Sequence, residues 1–193
     1  MSLSPQQLST NKQDVLNILK EVSDLPDALF TFLNNSDFWK APASTRYHEA
    51  YEGGLVEHSL KVHKELSLLN YQKLLGFSDD TVAKTALFHD LCKVNFYRKI
   101  MRNKRMDDGR WMRVAGWEVD DQLPLGHGEK SLAILLKLGV QLTEEEMLAI
   151  RWHMGGFTDS ANSFVGTQAL SAAMGSTSLV TALHIADMMA VWM

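Results

Sequence analysis

Apolar residues recur at helical spacing along nearly the whole chain, and the pattern breaks only once, between Phe96 and Val119. A sequence patterned this way folds as packed helices. Helices are expected over about 5–22 and 25–33, followed by a loop with Asn34, Asn35, Pro42 and Ser44. Gly53 and Gly54 open a long helix to about Leu75, whose stripe is Leu55, Val62, Leu66 and Leu69. Ser78 and Asp79 cap the next, expected over 79–93 with Val82, Ala83, Ala86 and Leu87 inward. From Phe96 to Val119 the chain turns aromatic and basic around Asp107, Asp108 and Gly109, which reads as a β-hairpin. Helical spacing resumes over 128–138, and Thr143 with Glu146 forms a capping box for a helix to His153, ended by Gly155 and Gly156. A last helical region runs from about Thr167 to the end, broken near Gly175. The fold class read from this is all-α, one helical domain over 1–193 with the hairpin of 96–119 as an insertion.

Composition supports that reading. With 193 residues, 46% hydrophobic and 22% charged, the chain resembles ordinary globular proteins and can bury ~70% of its unfolded surface in one core. Cys92 is the sole cysteine, so no internal disulfide forms and four-cysteine zinc modules are excluded. The mostly polar Met1 to Gln13 stretch lacks an apolar signal core, and a cytoplasmic location is expected. Residues 161–186 carry no formal charge but include Asn162, Ser163, Gln168, Ser171, Ser176, Thr177, Ser178 and Thr181. They are expected as helices buried on most sides, with hydroxyls lining a cavity, and no membrane association is expected.

Several apolar stripes contain a polar residue at an inward position. His58 falls between Leu55 and Val62; His89 continues Val82 and Ala86, while Asp90 continues Ala83 and Leu87. His153 continues Ala149 and Ile150, and Asp187 follows Val180, Leu183 and His184. A single inward histidine is usually a hydrogen-bonded core residue. Four helices repeating the exception are not. Two buried aspartates with no lysine or arginine on the same faces would each cost several kcal/mol, so a cation is expected between them. Neutral imidazoles and carboxylates are ligands for a divalent ion, and a mixed N/O set suits Mn, Fe, Co, Ni or Zn better than Ca, with Mg also admissible. His127, between Gly126 and Gly128 at a helix entry, is open to capping, to a second metal or to a phosphate. His63 is expected in solvent, and His184 in the core or behind Asp187.

The order His58, His89-Asp90, Asp187 resembles the HD superfamily of metal-dependent phosphohydrolases. Three phrases carry the likeness: Gly53-Gly54-Leu55-Val56-Glu57-His58-Ser59, Leu87-Phe88-His89-Asp90-Leu91-Cys92-Lys93 and His184-Ile185-Ala186-Asp187. Leu125-Gly126-His127-Gly128 and Arg151-Trp152-His153-Met154-Gly155 look like the additional histidines of its two-metal branch, and the likeness spans about 48–187. The resemblance implies that His58, His89, Asp90 and Asp187 hold one ion and that Asp90 bridges to a second held by His127 and His153. It further implies a catalytic role for Asp90, and a phosphate-binding or catalytic role for Lys93 with His48 nearby. The bland reading of Lys93 is a lysine complementing a helix C-terminus.

At formal −4 the chain lacks the overall positive field of a nucleic-acid binder. Locally, the 21 residues from Lys93 to Arg113 hold eight basic and two acidic side chains, a net +6, interleaved with Tyr97 and Trp111 and followed by Trp117. The expected substrate is a nucleotide or small phosphate ester. A 3′ to 5′ exoribonuclease-like activity on RNA, a non-catalytic metal-stabilised module binding nucleotide or nucleic acid, and a di-iron oxygenase stay open beside it. The apolar end, Met188, Met189, Val191, Trp192 and Met193, is expected to dock on its own core or in a homo-oligomer.

Overall fold

The computed structural model describes residues 3–193, without the side chains of residues 159 and 160. Its helices are α1 (Pro5–Lys20), α2 (Asp27–Asn35), α3 (Gly54–Lys73), α4 (Asp79–Phe88), α5 (His127–Lys137), α6 (Glu144–Trp152), α7 (Phe164–Ser176) and α8 (Ser178–Trp192). Between α4 and α5 an antiparallel ribbon is formed by β1 (Tyr97–Arg105) and β2 (Trp111–Val119). The fold is thus all-α with an inserted β-hairpin.

Local chemistry sets the helix ends. Ser4 and Gln7 make a capping box on α1, and Pro5 occupies the first turn, where its missing N–H costs nothing. Thr143 and Glu146 cap α6 in the same way. Glu146 is almost fully buried and also accepts from Thr81 Oγ1 at 2.9 Å and from Lys84 Nζ at 2.8 Å, fastening α6 to α4.

Two apolar clusters make up the core. One gathers Leu19, Leu33, Phe38, Leu55, Phe88, Leu135 and Ile150; the other gathers Val62, Leu66, Val82, Trp152, Leu179 and Leu183. α3 contributes Leu55 and Val56 to the first and Val62 and Leu66 to the second, and His58 lies between. His89 follows Phe88 and His153 follows Trp152, so the polar residues sit where the two clusters adjoin.

Three expectations about the elements are corrected. α4 stops at Phe88 instead of running to Lys93, and Leu91–Lys93 forms a short 3-10 turn. Asp90 leaves helical geometry with φ −102° and ψ 19°, and the Cys92 amide donates to Ser131 Oγ on α5 at 2.9 Å. The expectation that residues 161–186 are buried on most sides fails in α7, where only Ala173 is buried and Phe164 and Val165 are 78% and 73% exposed, and holds in the first turns of α8, where Leu179, Val180, Ala182, Leu183 and Ala186 are buried. Lack of charge in α7 reflects small residues without an inward stripe, and its hydroxyls do not line the cavity described below. His63 is half-buried, not solvated, and burial pushes its pKa down. α7 and α8 meet at 104°, and no single helix among the described residues is long and apolar enough to cross a membrane.

Candidate metal centre

The end of α4 builds the site. On a continuing helix, His89 and Asp90 would point ~100° apart. Because the helix stops between them, both side chains turn to one point, with His89 Nε2 3.4 Å from Asp90 Oδ2. α3 brings His58 Nε2 to 3.7 Å from the same oxygen, and α8 brings Asp187 Oδ1 to 3.0 Å from His58 Nε2 and 3.9 Å from His89 Nε2. The other oxygen, Asp90 Oδ1, faces His127 Nε2 at 2.8 Å and His153 Nε2 at 3.6 Å. The six residues singled out in the sequence as ligands therefore meet in one cluster, divided by the two oxygens of Asp90.

Close backbone approaches make this convergence possible. A Cβ on Gly128 would stand 2.2 Å from the Arg151 carbonyl oxygen, so only glycine lets the first turn of α5 rest on the end of α6. The His127 and His153 rings are consequently 5.0 Å apart. Gly54 lets α3 begin equally close to the loop before it, since a Cβ there would stand 2.0 Å from the Glu49 carbonyl oxygen.

The tautomers follow from the backbone. His89 Nδ1 lies 2.8 Å from the Ala86 carbonyl and His153 Nδ1 lies 2.8 Å from the Ile150 carbonyl. A carbonyl only accepts, so both Nδ1 atoms carry a proton, and in the neutral ring that leaves each Nε2 a lone pair. Those lone pairs have no donor and point at carboxylate oxygens. Acceptors facing acceptors in a buried site repel unless a cation lies among them. Imidazole nitrogens and carboxylate oxygens are such a cation's ligands. Four groups of His, Cys, Asp and Glu have ligand atoms within 4.8 Å of one another, and three of them include His89 or Asp90. The donor set fits a metal ion.

The expectation that no basic residue shares these faces is corrected. Lys93 is buried and its Nζ lies 2.5 Å from Asp90 Oδ2. Its i, i+3 spacing from Asp90 places the two on one side of the turn. Burial alone would raise the Asp90 pKa, but the Lys93 charge and the hydrogen bond from His127 outweigh it and hold the carboxyl well below its usual range. Asp187 is likewise held low despite burial, by the hydrogen bond from His58 and the neighbouring rings. Among the described residues no lysine or arginine pairs with Asp187.

His127 differs from His89 and His153. Its Nδ1 meets no carbonyl but stands 3.2 Å from Cys92 Sγ. Burial disfavours its charged form, yet Cys92 and the bond to Asp90 prevail and lift its pKa to about 9. His48 stacks obliquely on His58 at 5.0 Å between centroids, and burial followed by the charge of Lys93 lowers its pKa. His184 is not behind Asp187: its Nδ1 lies 2.6 Å from the His153 carbonyl, bracing the chain after α6.

Sequence reasoning does not single out Glu49 and Cys92 as site residues. Glu49 is buried, takes Lys61 Nζ at 2.5 Å and places its other oxygen 3.9 Å from His58 Nδ1. It sits in an irregular loop at φ 41°, where periodicity offers no signal, although its place beside His48 does. Cys92 is buried as an ordinary core thiol would be; its position two residues after Asp90 is the available cue.

Above the cluster opens a cavity of about 850 Å³ with mostly apolar walls. Asp90, Asp187, Lys93, His48 and His127 are among its polar lining, and Tyr97 and Trp192 stand among its aromatic walls. The apolar C-terminal end thus forms part of this wall. Comparison with protein-family models, with curated proteins and with solved structures finds no match to the chain.

Proposed function

We propose that the protein is a divalent-metal-dependent phosphohydrolase of the HD type, acting on a nucleotide or another small phosphate ester. The observation that carries this reading is the buried convergence of lone-pair nitrogens and ionised carboxylates at the floor of a cavity that also presents Lys93. His58, His89, Asp90 and Asp187 would hold one ion, and Asp90, His127 and His153 a second. When bound, such ions supply Lewis acidity, lowering the pKa of water and neutralising charge on a phosphoryl group.

The chain's own residues do the rest. Asp90 stays ionised at the cavity floor, an acceptor that orients water toward phosphorus. Lys93 stays charged because the Asp90 charge more than offsets the cost of burial, and its ammonium faces the cavity to meet the phosphate. His48, kept neutral near pH 7 by its lowered pKa, offers a ring N–H to a phosphate oxygen without adding charge beside Lys93. The aromatic walls suit a planar base or leaving group and exclude water.

The test pairs elemental analysis of protein purified without chelator with turnover on nucleoside phosphates and p-nitrophenyl phosphoesters. Wild type is expected to carry a first-row divalent metal and to hydrolyse at least one ester, and Asp90→Asn to lose both metal and at least ~10³-fold in rate. Full activity in Asp90→Asn, or hydrolysis by metal-stripped protein, overturns the proposal.

A further inference from the structure

The hairpin is unused by the chemistry proposed above. Its register pairs Tyr97 with Val119, Lys99 with Trp117, Met101 with Ala115, Asn103 with Arg113 and Arg105 with Trp111. In a pleated ladder these odd-numbered pairs share one face. At the root, Tyr97 and Val119 line the cavity. Eight residue steps at about 3.4 Å carry the same face some ~27 Å outward. Lys99 Nζ lies 5.2 Å from the centre of the Trp117 ring, and at the far end Trp111 is 69% exposed.

Charge on the ribbon is only partly neutralised. Arg98 pairs with Glu118, Lys99 with Glu52 and Arg110 with Asp108. Among the described residues, Arg105 and Arg113 on this face, and Arg102 and Lys104 on the opposite one, have no carboxylate partner. A purely solvated ribbon has no use for an exposed tryptophan beside unpaired guanidinium groups. A strand of stacked bases and phosphates does: every base has a face to lay on an indole, and each phosphate needs a cation. A free mononucleotide is served by the cavity alone and leaves a ~27 Å face idle. In a duplex the bases are already stacked and closed to the indoles.

We propose that this face of the hairpin is a binding track for single-stranded nucleic acid, leading the end of the strand into the cavity. The inference deepens the phosphohydrolase reading by naming an oligonucleotide as the substrate class, and rests on that reading for what happens at the cavity floor. Binding along the ribbon is testable without it.

The experiment uses the full chain stripped of metal, so that nothing is cleaved, and a fluorescein-labelled oligouridylate of about 20 nucleotides followed by anisotropy. Binding is expected, weakening with salt with a log–log slope of about −1.4 if the unpaired Arg105 and Arg113 each meet a phosphate. Trp111→Ala should weaken binding roughly 5- to 100-fold, and Arg113→Ala should reduce the slope by about 0.7. Both side chains are exposed, and circular dichroism verifies that the variants fold. No binding at low salt, equal displacement by polyglutamate or by duplex, or wild-type binding in both variants overturns the track. Phosphoester turnover without oligonucleotide binding refutes the track and leaves the hydrolase; binding without turnover of any ester does the reverse.

Discussion

Cys92→Ala isolates the one cluster histidine whose Nδ1 faces a sulfur. His89 and His153 are fixed by carbonyls of their own helices, whereas His127 Nδ1 faces Cys92 Sγ at 3.2 Å. For His127 Nε2 to offer a lone pair to a metal, Nδ1 must carry the proton and donate it to the sulfur. Removing a partner of this kind typically costs 10- to 100-fold in metal affinity, or about 1.4–2.7 kcal/mol. Loss of one buried sulfur, about the size of a methylene, costs about 1 kcal/mol of stability and roughly 2–4 °C in Tm. Competition of Mn²⁺ or Zn²⁺ against a chelating indicator separates the two effects. Affinity for an ion at His127 and His153 should fall by that factor, while an ion at His58, His89 and Asp187 is retained. Cys92→Ser restores an acceptor and should recover most of the affinity. The reasoning is refuted by Cys92→Ala protein that binds both ions like wild type, or by a serine variant no better than alanine.

Glu146→Ala removes the side-chain half of the α6 capping box and leaves Lys84 without its carboxylate, so a loss of about 3 kcal/mol is expected, read as a fall of roughly 6–12 °C in Tm. Gly128→Ala drives a methyl into the Arg151 carbonyl; about 1–3 kcal/mol of destabilisation is expected, with loss of the His127 ion by elemental analysis while the other remains. His63 has a folded pKa below the ordinary 6.5 because burial disfavours its charge, an effect that exceeds the pull of Asp79. Its contribution to stability is therefore present above pH 6.5 and lost as pH falls through the folded value. The free energy of unfolding of wild type should fall more than that of His63→Gln on acidification from about pH 7.5 to 5, and parallel curves would contradict this.

The order of helices and the hairpin are legible in the sequence because apolar period is a direct record of which face is buried. His58, His89, Asp90, His153 and Asp187 are legible for the same reason, as interruptions of that record. The Lys93 pairing is readable too, although the inward stripes do not show it: its spacing from Asp90 places the two together in either helix type. That pairing reduces the need for a metal at Asp90 while leaving Asp187 without a cation. α7 misleads because absence of charge is not burial; its Gly, Ala, Ser and Thr residues form no stripe, and only Ala173 is enclosed. Glu49 and Cys92 act from a loop and from the turn after α4, where no period exists to be interrupted. The stop of α4 at Phe88, which turns His89 and Asp90 to one point, depends on contacts with α5 such as Cys92 to Ser131, which are remote in sequence.

X-ray diffraction on either side of a manganese absorption edge, from crystals soaked in Mn²⁺ beside crystals of Asp90→Asn treated alike, addresses the centre itself. Wild type should show an anomalous peak enclosed by His58, His89, Asp90 and Asp187, absent from the variant. Wild-type crystals with no peak there, or a peak that persists undiminished in Asp90→Asn, would contradict the claim that these buried acceptors are arranged around a cation.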